Sequence, residues 1–318
     1  MGTFKATVCL LAFAALALPL HVSATTKTCS AGLTNNPVQF EGALHYDDMQ
    51  SKRNPTVHVR INGKPAKMML DSGSNSNSLW DGSLLNEAPS ARVEKLDGIA
   101  GSAEARTVNA TLADDHGHAL RQEFYLLTDS ALLQDGYAGI LSPQAVAGLD
   151  AVVIDFEKNC FFTSAPFDIA FDHGLRAGQS TTIRNPHNVI AISVQLDNRI
   201  VPVIIDSGAP RTFIQASLVS SNPKGELSPR MMDIFKAEIP GAEHMRLVDL
   251  KINGREFKSL PVIPRQTEDA RVVANFGYIG MDILKERIVY YDARQQEFRL
   301  LTHQELAQHA EEPEARAE

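Results

Sequence analysis

Several patterns that mark common protein classes are missing from this sequence. Acidic residues (38) outnumber basic ones (30), and the basic residues form no cluster, so neither nucleic acid nor an anionic membrane surface is an expected partner. No Gly-Lys-Ser/Thr follows a glycine-rich loop, and no Gly-x-Ser-x-Gly is present. A phosphate-binding P-loop and a serine hydrolase of the nucleophile-elbow type are therefore disfavoured.

Metal-ligand spacing is also missing among the histidines and cysteines. The densest cluster, His116-Gly117-His118, follows two aspartates in a stretch that is typical of a solvated hairpin tip. A metal held by these two imidazoles is the alternative interpretation. We expect no metal and no cofactor.

Only one long apolar run is present, near the start of the chain. Residues 6–20 are almost entirely apolar, Lys5 precedes them, and small residues lead up to Ala24. This pattern predicts a signal peptide, residues 1–24. The alternative, an uncleaved anchor, would need about 20 apolar residues. After cleavage we expect an exported chain without a membrane partner, either periplasmic or secreted.

Cysteine is scarce, with 3 in the chain. Cys9 would leave with the signal peptide, and Cys29 and Cys160 would remain. Two cysteines in an exported chain suggest one disulfide. A single pair offers no spacing pattern to test, so two free thiols are the alternative.

Long runs at helical spacing are scarce too, whereas Gly, Pro, Ser and Thr recur along the whole chain. This composition favours an all-β fold with many turns.

Two similar tetrads, Asp71-Ser72-Gly73-Ser74 and Asp206-Ser207-Gly208-Ala209, follow the apolar triplets 68–70 and 203–205. Each triplet predicts a buried strand that ends at the aspartate. The glycine then allows a tight turn where a Cβ would clash. One such tetrad alone is commonly a structural Asx-turn, but two in similar contexts indicate a repeated site.

The similarity extends through both halves of the chain. A hairpin pattern leads to each aspartate, Ile99-Ala100-Gly101 recurs as Ile239-Pro240-Gly241, and the glycine element at 136–140 recurs at 277–281. Such a repeat is domain-sized. It predicts two lobes, with bounds as follows: 25–166 for the first lobe, 167–302 for the second, and 303–318 for a tail that is either a frayed helix or solvated chain.

These elements resemble those of the pepsin-like and retropepsin-like aspartic peptidases. The first tetrad, followed by Asn77 and Trp80, is similar to the first-lobe motif of pepsins, and the second tetrad is similar to a retropepsin motif. The glycine elements resemble those that cross behind the active loops. The resemblance covers most of residues 55–302. It implies an all-β, bilobal pepsin-like fold, with two similar closed β-barrel lobes around a central cleft.

The resemblance also implies a mechanism. Asp71 and Asp206 would form a catalytic dyad that shares one proton, because two adjacent carboxylates cannot both ionise cheaply. The ionised member would activate a water, and the protonated member would polarise the scissile carbonyl. Ser72 and Ser207 would exchange hydrogen bonds across the lobe interface and hold the two turns rigid.

The other tetrad residues would support the dyad. Gly73 and Gly208 would let the backbone approach the carboxylates closely. Ser74 would hydrogen-bond the outer oxygen of Asp71, a contact that Ala209 cannot supply in the second tetrad.

The stretch Gly98-Ile99-Ala100-Gly101 lies where a retropepsin has its flap, a glycine-bearing hairpin that closes over bound peptide. Unlike pepsin, this stretch carries no tyrosine, and the nearest one, Tyr125, is expected on a later strand.

The sequence therefore predicts an exported aspartic endopeptidase, a monomer whose cleft takes a polypeptide substrate in an extended conformation. Two alternatives remain. One is a pepsin-like protein that binds polypeptide without cutting it, either a binding module or an inhibitor-like protein. The other is a duplicated β protein in which both tetrads are structural turns.

Overall fold

The computed structural model describes residues 28–127, 136–173, 182–183, 188–266 and 276–310. The predicted signal peptide and the end of the predicted tail lie outside these residues.

The first half of the chain is built mostly from strands. Its elements, in chain order, are β1 (Val38–His45), β2 (Thr56–Ile61), β3 (Lys64–Leu70), β4 (Asn77–Leu79), a 3-10 turn (Gly82–Leu84), β5 (Glu94–Asp97), β6 (Ser102–Ala113), β7 (Ala119–Leu127), β8 (Gly139–Leu141), α1 (Pro143–Ala147), β9 (Ala151–Asp155) and β10 (Cys160–Ser164). Strands β2, β3, β8, β4, β7 and β6 are hydrogen-bonded in that order, and β6 pairs with β2 again. These strands therefore form a closed barrel.

The second half repeats this plan. Its elements are α2 (Ile169–Asp172), β11 (Ala191–Leu196), β12 (Arg199–Ile205), β13 (Phe213–Gln215), α3 (Ala216–Val219), β14 (Lys224–Leu227), β15 (His244–Ile252), β16 (Arg255–Arg265), β17 (Gly277–Ile279), α4 (Met281–Leu284), β18 (Ile288–Asp292), β19 (Glu297–Leu301) and α5 (His303–Ala310). Strands β11, β12, β17, β13, β16 and β15 close a second barrel through the β11–β15 pair. The predicted fold, all-β with two similar closed barrels, is confirmed.

The hairpin β2–β3 shows how the sequence sets the position of the first aspartate. Asn62 and Gly63 both have positive φ angles, 51° and 81°, which is the two-residue turn that matches strand twist. Alternate residues of β2 are buried in the barrel, and β3 ends with three buried residues, the last of which is Leu70. Asp71 therefore begins the turn that follows a buried strand.

A second set of strands joins the two barrels. Strands β19, β18, β9, β10 and β1 are neighbours in one sheet, and β9 and β18 pair antiparallel with Val153 opposite Tyr290. Every residue of β9 and β18 is buried. One face of this joining sheet packs on the barrel core, and the other packs on a smaller cluster that includes Phe167 and Leu306. The joining sheet thus fixes one barrel against the other.

Cys29 and Cys160 form a disulfide, which is the first of the two alternatives predicted for them. Cys160 begins β10, and Cys29 lies in the segment before β1, so the bond ties that segment to the joining sheet. None of the helices within the described residues is long and apolar enough to span a bilayer.

Removal of this disulfide is expected to destabilise the fold. The bond closes a loop between cysteines that are 131 positions apart. Because a cross-link limits the freedom of the unfolded chain, Cys29→Ala/Cys160→Ala should lower the free energy of unfolding by about 2–5 kcal/mol. Denaturant unfolding measures this change. Alkylation of the unreduced parent protein is the control, and two modified thiols there would contradict the bond.

Candidate active site

Both aspartates lie at the same place in their barrels, directly after a central strand. Asp71 follows β3, and its N–H donates to the carbonyl of Leu141 at 3.0 Å. Asp206 follows β12, and its N–H donates to the carbonyl of Ile279 at 2.9 Å. The acceptors belong to β8 and β17, which run parallel to β3 and β12. The glycine elements therefore cross behind the two turns.

The glycines of these crossing strands are needed because other backbone passes very close. A Cβ at Gly139 would lie 1.9 Å from the carbonyl oxygen of Ser78, and a Cβ at Gly277 would lie 2.6 Å from that of Phe213. No side chain fits at either position.

The two carboxyl groups meet between the barrels. Their side chains are hydrogen-bonded to each other, and Asp71 and Asp206 are only 9% and 5% exposed. The N–H of Gly73 donates to Asp71 Oδ1 at 2.8 Å, and the N–H of Gly208 donates to Asp206 Oδ1 at 2.9 Å. The structure thus brings together two acidic groups that are distant in sequence.

Burial raises the pKa of both carboxyl groups, because desolvation penalises the charged form. The negative charge of Asp71 raises the pKa of Asp206 further, well above its ordinary value. Backbone N–H groups of Gly73, Ser74 and Gly208 hydrogen-bond Asp71 and favour its ionised form. The two carboxyl groups therefore titrate as a pair, and the mutual repulsion of their charges favours a state in which they share one proton.

The turn glycines allow this close approach. A Cβ at Gly73 would lie 2.6 Å from Cγ of Asp206, and one at Gly208 would lie 2.8 Å from Cγ of Asp71. Each glycine therefore makes room for the carboxyl group of the opposite lobe.

Ser72 and Ser207 hold the turns together through four hydrogen bonds. Each N–H donates to the hydroxyl of the other serine at 3.0 Å. The Ser72 hydroxyl donates to the carbonyl of Ile205 at 2.9 Å, and the Ser207 hydroxyl donates to that of Leu70 at 2.8 Å. Both serines are fully buried. These bonds join the last residue of each central strand to the opposite turn.

Ser74 differs from the expectation. Its hydroxyl donates to the carbonyl of Ser76 at 2.8 Å, rather than to the outer oxygen of Asp71. The contact from Ser74 to that carboxylate comes from its backbone N–H. Ala209 supplies the equivalent N–H to Asp206 at 3.0 Å, so the missing hydroxyl does not remove this contact from the second lobe.

Two supporting residues of the first lobe were missed in the sequence analysis. The side-chain amide of Gln144 donates to the carbonyls of Ser72 and Ser74, at 2.9 and 2.7 Å. The hydroxyl of Ser142 also donates to the carbonyl of Ser74, at 2.8 Å. The sequence did contain a signal for the position of these residues, because Ser142-Pro143 is a typical helix start and directly follows the glycine element.

The second lobe uses different residues at the same place. Asp282 accepts hydrogen bonds from the N–H and the hydroxyl of Thr212, at 3.0 and 2.8 Å. The N–H of Gly280 donates to the same hydroxyl at 3.2 Å. Burial raises the pKa of Asp282. Sequence reasoning missed this pair as well, because its two members lie on separate elements.

The carboxyl pair lies at the floor of a cleft of about 640 Å³ between the lobes. Apolar side chains from both lobes line most of it: Met69, Leu96, Ile99, Ile140, Val189, Ile204, Phe213, Met231, Ile234, Ile239 and Tyr278.

The stretch 98–101 forms the tip of the hairpin between β5 and β6, where the N–H of Gly98 donates to the carbonyl of Gly101 at 2.8 Å. We call these four residues the flap tip. Gly98 and Ile99 line the cleft, whereas Tyr125 lies on β7, as expected.

The histidine cluster lies in the turn between β6 and β7. The carboxylate of Asp114 accepts hydrogen bonds from the N–H groups of His116 and His118, and lies 2.6 Å from the ring of His118. Among the described residues, no group of three or more His, Cys, Asp or Glu side chains is placed to hold a metal ion.

The two barrels, the joining sheet and the cleft define a pepsin-like bilobal fold. Among solved structures, the chain is similar to an aspartic proteinase from Irpex lacteus, with a TM-score of 0.56. The likeness covers 82% of this chain and 96% of that one, at 12% sequence identity, so it shows the fold. No protein-family model and no curated protein matches the sequence.

Proposed function

We propose that the protein is an exported aspartic endopeptidase, which hydrolyses peptide bonds with a water activated by Asp71 and Asp206. The observation that carries the proposal is the buried, hydrogen-bonded carboxyl pair at the floor of a cleft between two lobes. Two carboxyl groups that share a proton can act as a base and an acid in one step.

The proposed reaction follows from the protonation of the pair. Asp71, ionised, takes a proton from water while the water oxygen attacks the scissile carbonyl carbon. Asp206, protonated, donates to the carbonyl oxygen, and a tetrahedral diol forms. Asp71 then delivers the proton that it took from water to the amide nitrogen, while Asp206 takes a proton back from a hydroxyl of the diol. The carbon–nitrogen bond breaks, a carboxylic acid and an amine result, and the pair returns to its starting protonation. Ser72 and Ser207 act here by holding the turns in place.

The proposed substrate is a polypeptide in an extended conformation. β5 lies at the end of its sheet, with β6 as its neighbour, and its residues Lys95, Leu96 and Asp97 line the cleft. An edge strand offers backbone groups to an added strand. Apolar side chains along the cleft favour apolar side chains of the peptide on both sides of the scissile bond.

Export is part of the same proposal. The Cys29–Cys160 disulfide favours an oxidising compartment, periplasmic or extracellular. We propose that the chain acts as a monomer, because one chain carries both carboxyl groups. We also propose that it consists of two lobes, residues 25–166 and 167–302.

Acid-dependent cleavage tests the proposal. Activity requires the proton on Asp206, so cleavage should fall as pH rises through the raised pKa of that group. The measurement is the release of new amino termini from a denatured protein between about pH 3 and about pH 7, with and without a statine-type inhibitor.

Cleavage that falls toward neutral pH and is blocked by the inhibitor supports the endopeptidase. Binding of the denatured protein without turnover at every pH would support the alternative, a pepsin-like protein that binds polypeptide without cutting it. Cleavage that is insensitive to the inhibitor would contradict the carboxyl-pair mechanism.

A further inference from the structure

A loop of the second lobe meets the flap tip above the carboxyl pair. This loop, residues 231–239, lies in the connection between β14 and β15, and the flap tip lies in the connection between β5 and β6. It forms a small hairpin of its own, in which the N–H of Ile239 donates to Met231 at 2.9 Å and the N–H of Asp233 donates to Ala237 at 2.8 Å. We call it the roof loop.

The side chain of Asp233 joins the roof loop to the flap tip. Its Oδ2 accepts hydrogen bonds from the N–H groups of Ala100 and Gly101, at 2.9 and 2.5 Å. Its Oδ1 accepts bonds from Phe235 and Ala237 in its own loop, both at 2.9 Å. One carboxylate, only 9% exposed, therefore binds four backbone donors, two from each lobe.

Apolar side chains cross the cleft in both directions at the same place. Ile99 of the flap tip packs on the second-lobe cluster that contains Phe213 and Tyr278. Ile234 and Phe235 of the roof loop pack on a first-lobe cluster around Met69 and Ile140. The flap tip and the roof loop thus each pack on the opposite lobe.

Two further contacts tighten this arrangement. The guanidinium of Arg265 donates to the carbonyl of Ile99 at 2.9 Å. A Cβ at Gly98 would lie 2.9 Å from the ring of Phe235, so the glycine permits the two tips to touch. The flap tip and the roof loop thus meet across the cleft that contains the carboxyl pair.

We propose that Asp233 is a positioning residue, which clasps the flap tip to the roof loop, and that a polypeptide enters the cleft only after this clasp opens. The clasp rests on geometry alone, whereas the role in substrate entry rests on the proposed function. A buried carboxylate stays in place because its backbone donors replace water. Its removal releases two N–H groups of the flap tip at once.

Hydrogen exchange tests the clasp without any need for activity. In Asp233→Ala, the amides of Ala100 and Gly101 should exchange about 10-fold faster or more, because their acceptor is gone. Asp233→Asn keeps one acceptor oxygen and should give an intermediate rate. The matched control is Asp249→Ala, which removes a carboxylate that accepts from the N–H of Ser259 in the same lobe, outside the cleft. Equal exchange in Asp233→Ala and the parent protein would overturn the clasp.

A reversible cross-link tests entry. A Cβ at Gly101 would lie 3.1 Å from Cβ of Ala237, so a small shift brings the pair to disulfide geometry. Oxidised Gly101→Cys/Ala237→Cys should lose about 100-fold or more of its cleavage rate and recover it on mild reduction. Parent protein in the same reductant controls for Cys29–Cys160.

The outcomes separate the two proposals. Full cleavage by a variant whose cross-link is verified by mass spectrometry would overturn gated entry. A parent protein that cuts nothing, yet shows the exchange difference at Ala100 and Gly101, would overturn the endopeptidase and leave the clasp standing. If the cysteine variant does not fold, binding of the statine-type inhibitor to Asp233→Ala decides the question. Gated entry then requires a faster association rate than in the parent protein, and an unchanged rate would overturn it.

Discussion

Asp71→Asn and Asp206→Asn should each lower kcat/KM for peptide cleavage by about 10³-fold or more. An amide at position 71 cannot take the proton of the water, and an amide at position 206 cannot donate one to the carbonyl oxygen. Both side chains keep nearly the same size and burial, so the cleft remains intact. Initial rates measured in acid give the result, and full activity in either variant would end the proposed mechanism.

Asp206→Asn, although it lowers activity, should raise the stability of the protein at neutral pH. A carboxyl group whose pKa is raised by folding contributes stability below its unfolded pKa, and this contribution is lost as pH rises through the folded pKa. The raised pKa of Asp206 therefore makes the contribution of this one group to stability less favourable at neutral pH than in acid. Asp206→Asn removes this penalty and should raise Tm by a few degrees at neutral pH, with less change in acid.

Asp249→Asn is the matched control for this stability measurement. Asp249 is exposed, and hydrogen bonds from Ser259 and Lys258 lower its pKa. Such a group contributes stability above its unfolded pKa, and that contribution is lost as pH falls through the folded pKa. Its replacement should therefore leave Tm unchanged or lower it at neutral pH. Thermal unfolding of both variants at two pH values tests the difference in sign.

Loss of either serine hydroxyl should lower the stability of the protein. Ser72→Ala removes the acceptor for the N–H of Ser207 and the donor for the carbonyl of Ile205. Each buried group left without a partner costs about 1–3 kcal/mol. We expect Ser72→Ala to lower the free energy of unfolding by about 2–4 kcal/mol, and Ser207→Ala to do the same.

These variants should also lose activity, although neither serine carries out the chemistry. Without the hydroxyl, the turns that hold the carboxyl groups are no longer tied to the opposite strand. Ser83→Ala, at an exposed serine of the first lobe, is the control. If Ser72→Ala and Ser207→Ala unfold at the same denaturant concentration as Ser83→Ala, the four hydrogen bonds do not hold the lobes together.

Features with a local cause could be predicted from the sequence. The hairpin before Asp71 follows from alternating apolar residues and Asn62-Gly63, whose positive φ angles suit a two-residue turn. The second hairpin, before Asp206, repeats the alternation of apolar residues and has a positive φ angle at Asp197. Because both halves repeat one plan, the repeat predicted two similar lobes, and the resemblance to aspartic peptidases implied that each lobe is a closed barrel.

Features that depend on both lobes at once could not be predicted. Asp233 lies in a stretch without a recognisable motif, and two of its four donors come from residues more than a hundred positions away. Gln144 resembles any helix residue until its amide is seen at the carbonyls of the first turn. The Ser74 hydroxyl donates to the carbonyl of Ser76, and local sequence does not say which acceptor a serine hydroxyl will bind.

The pairing of β9 with β18 in the joining sheet suggests how a chain with two similar lobes could arise. Val153 faces Tyr290 at its centre, and all the residues on both sides are buried. A half-length chain would therefore expose an apolar strand edge, and a second copy would be the natural cover for it. In such a homodimer both tips would have to be identical. Fusion of the two copies removes that requirement. One tip can then carry the carboxylate of Asp233, while the other supplies the N–H groups of Ala100 and Gly101.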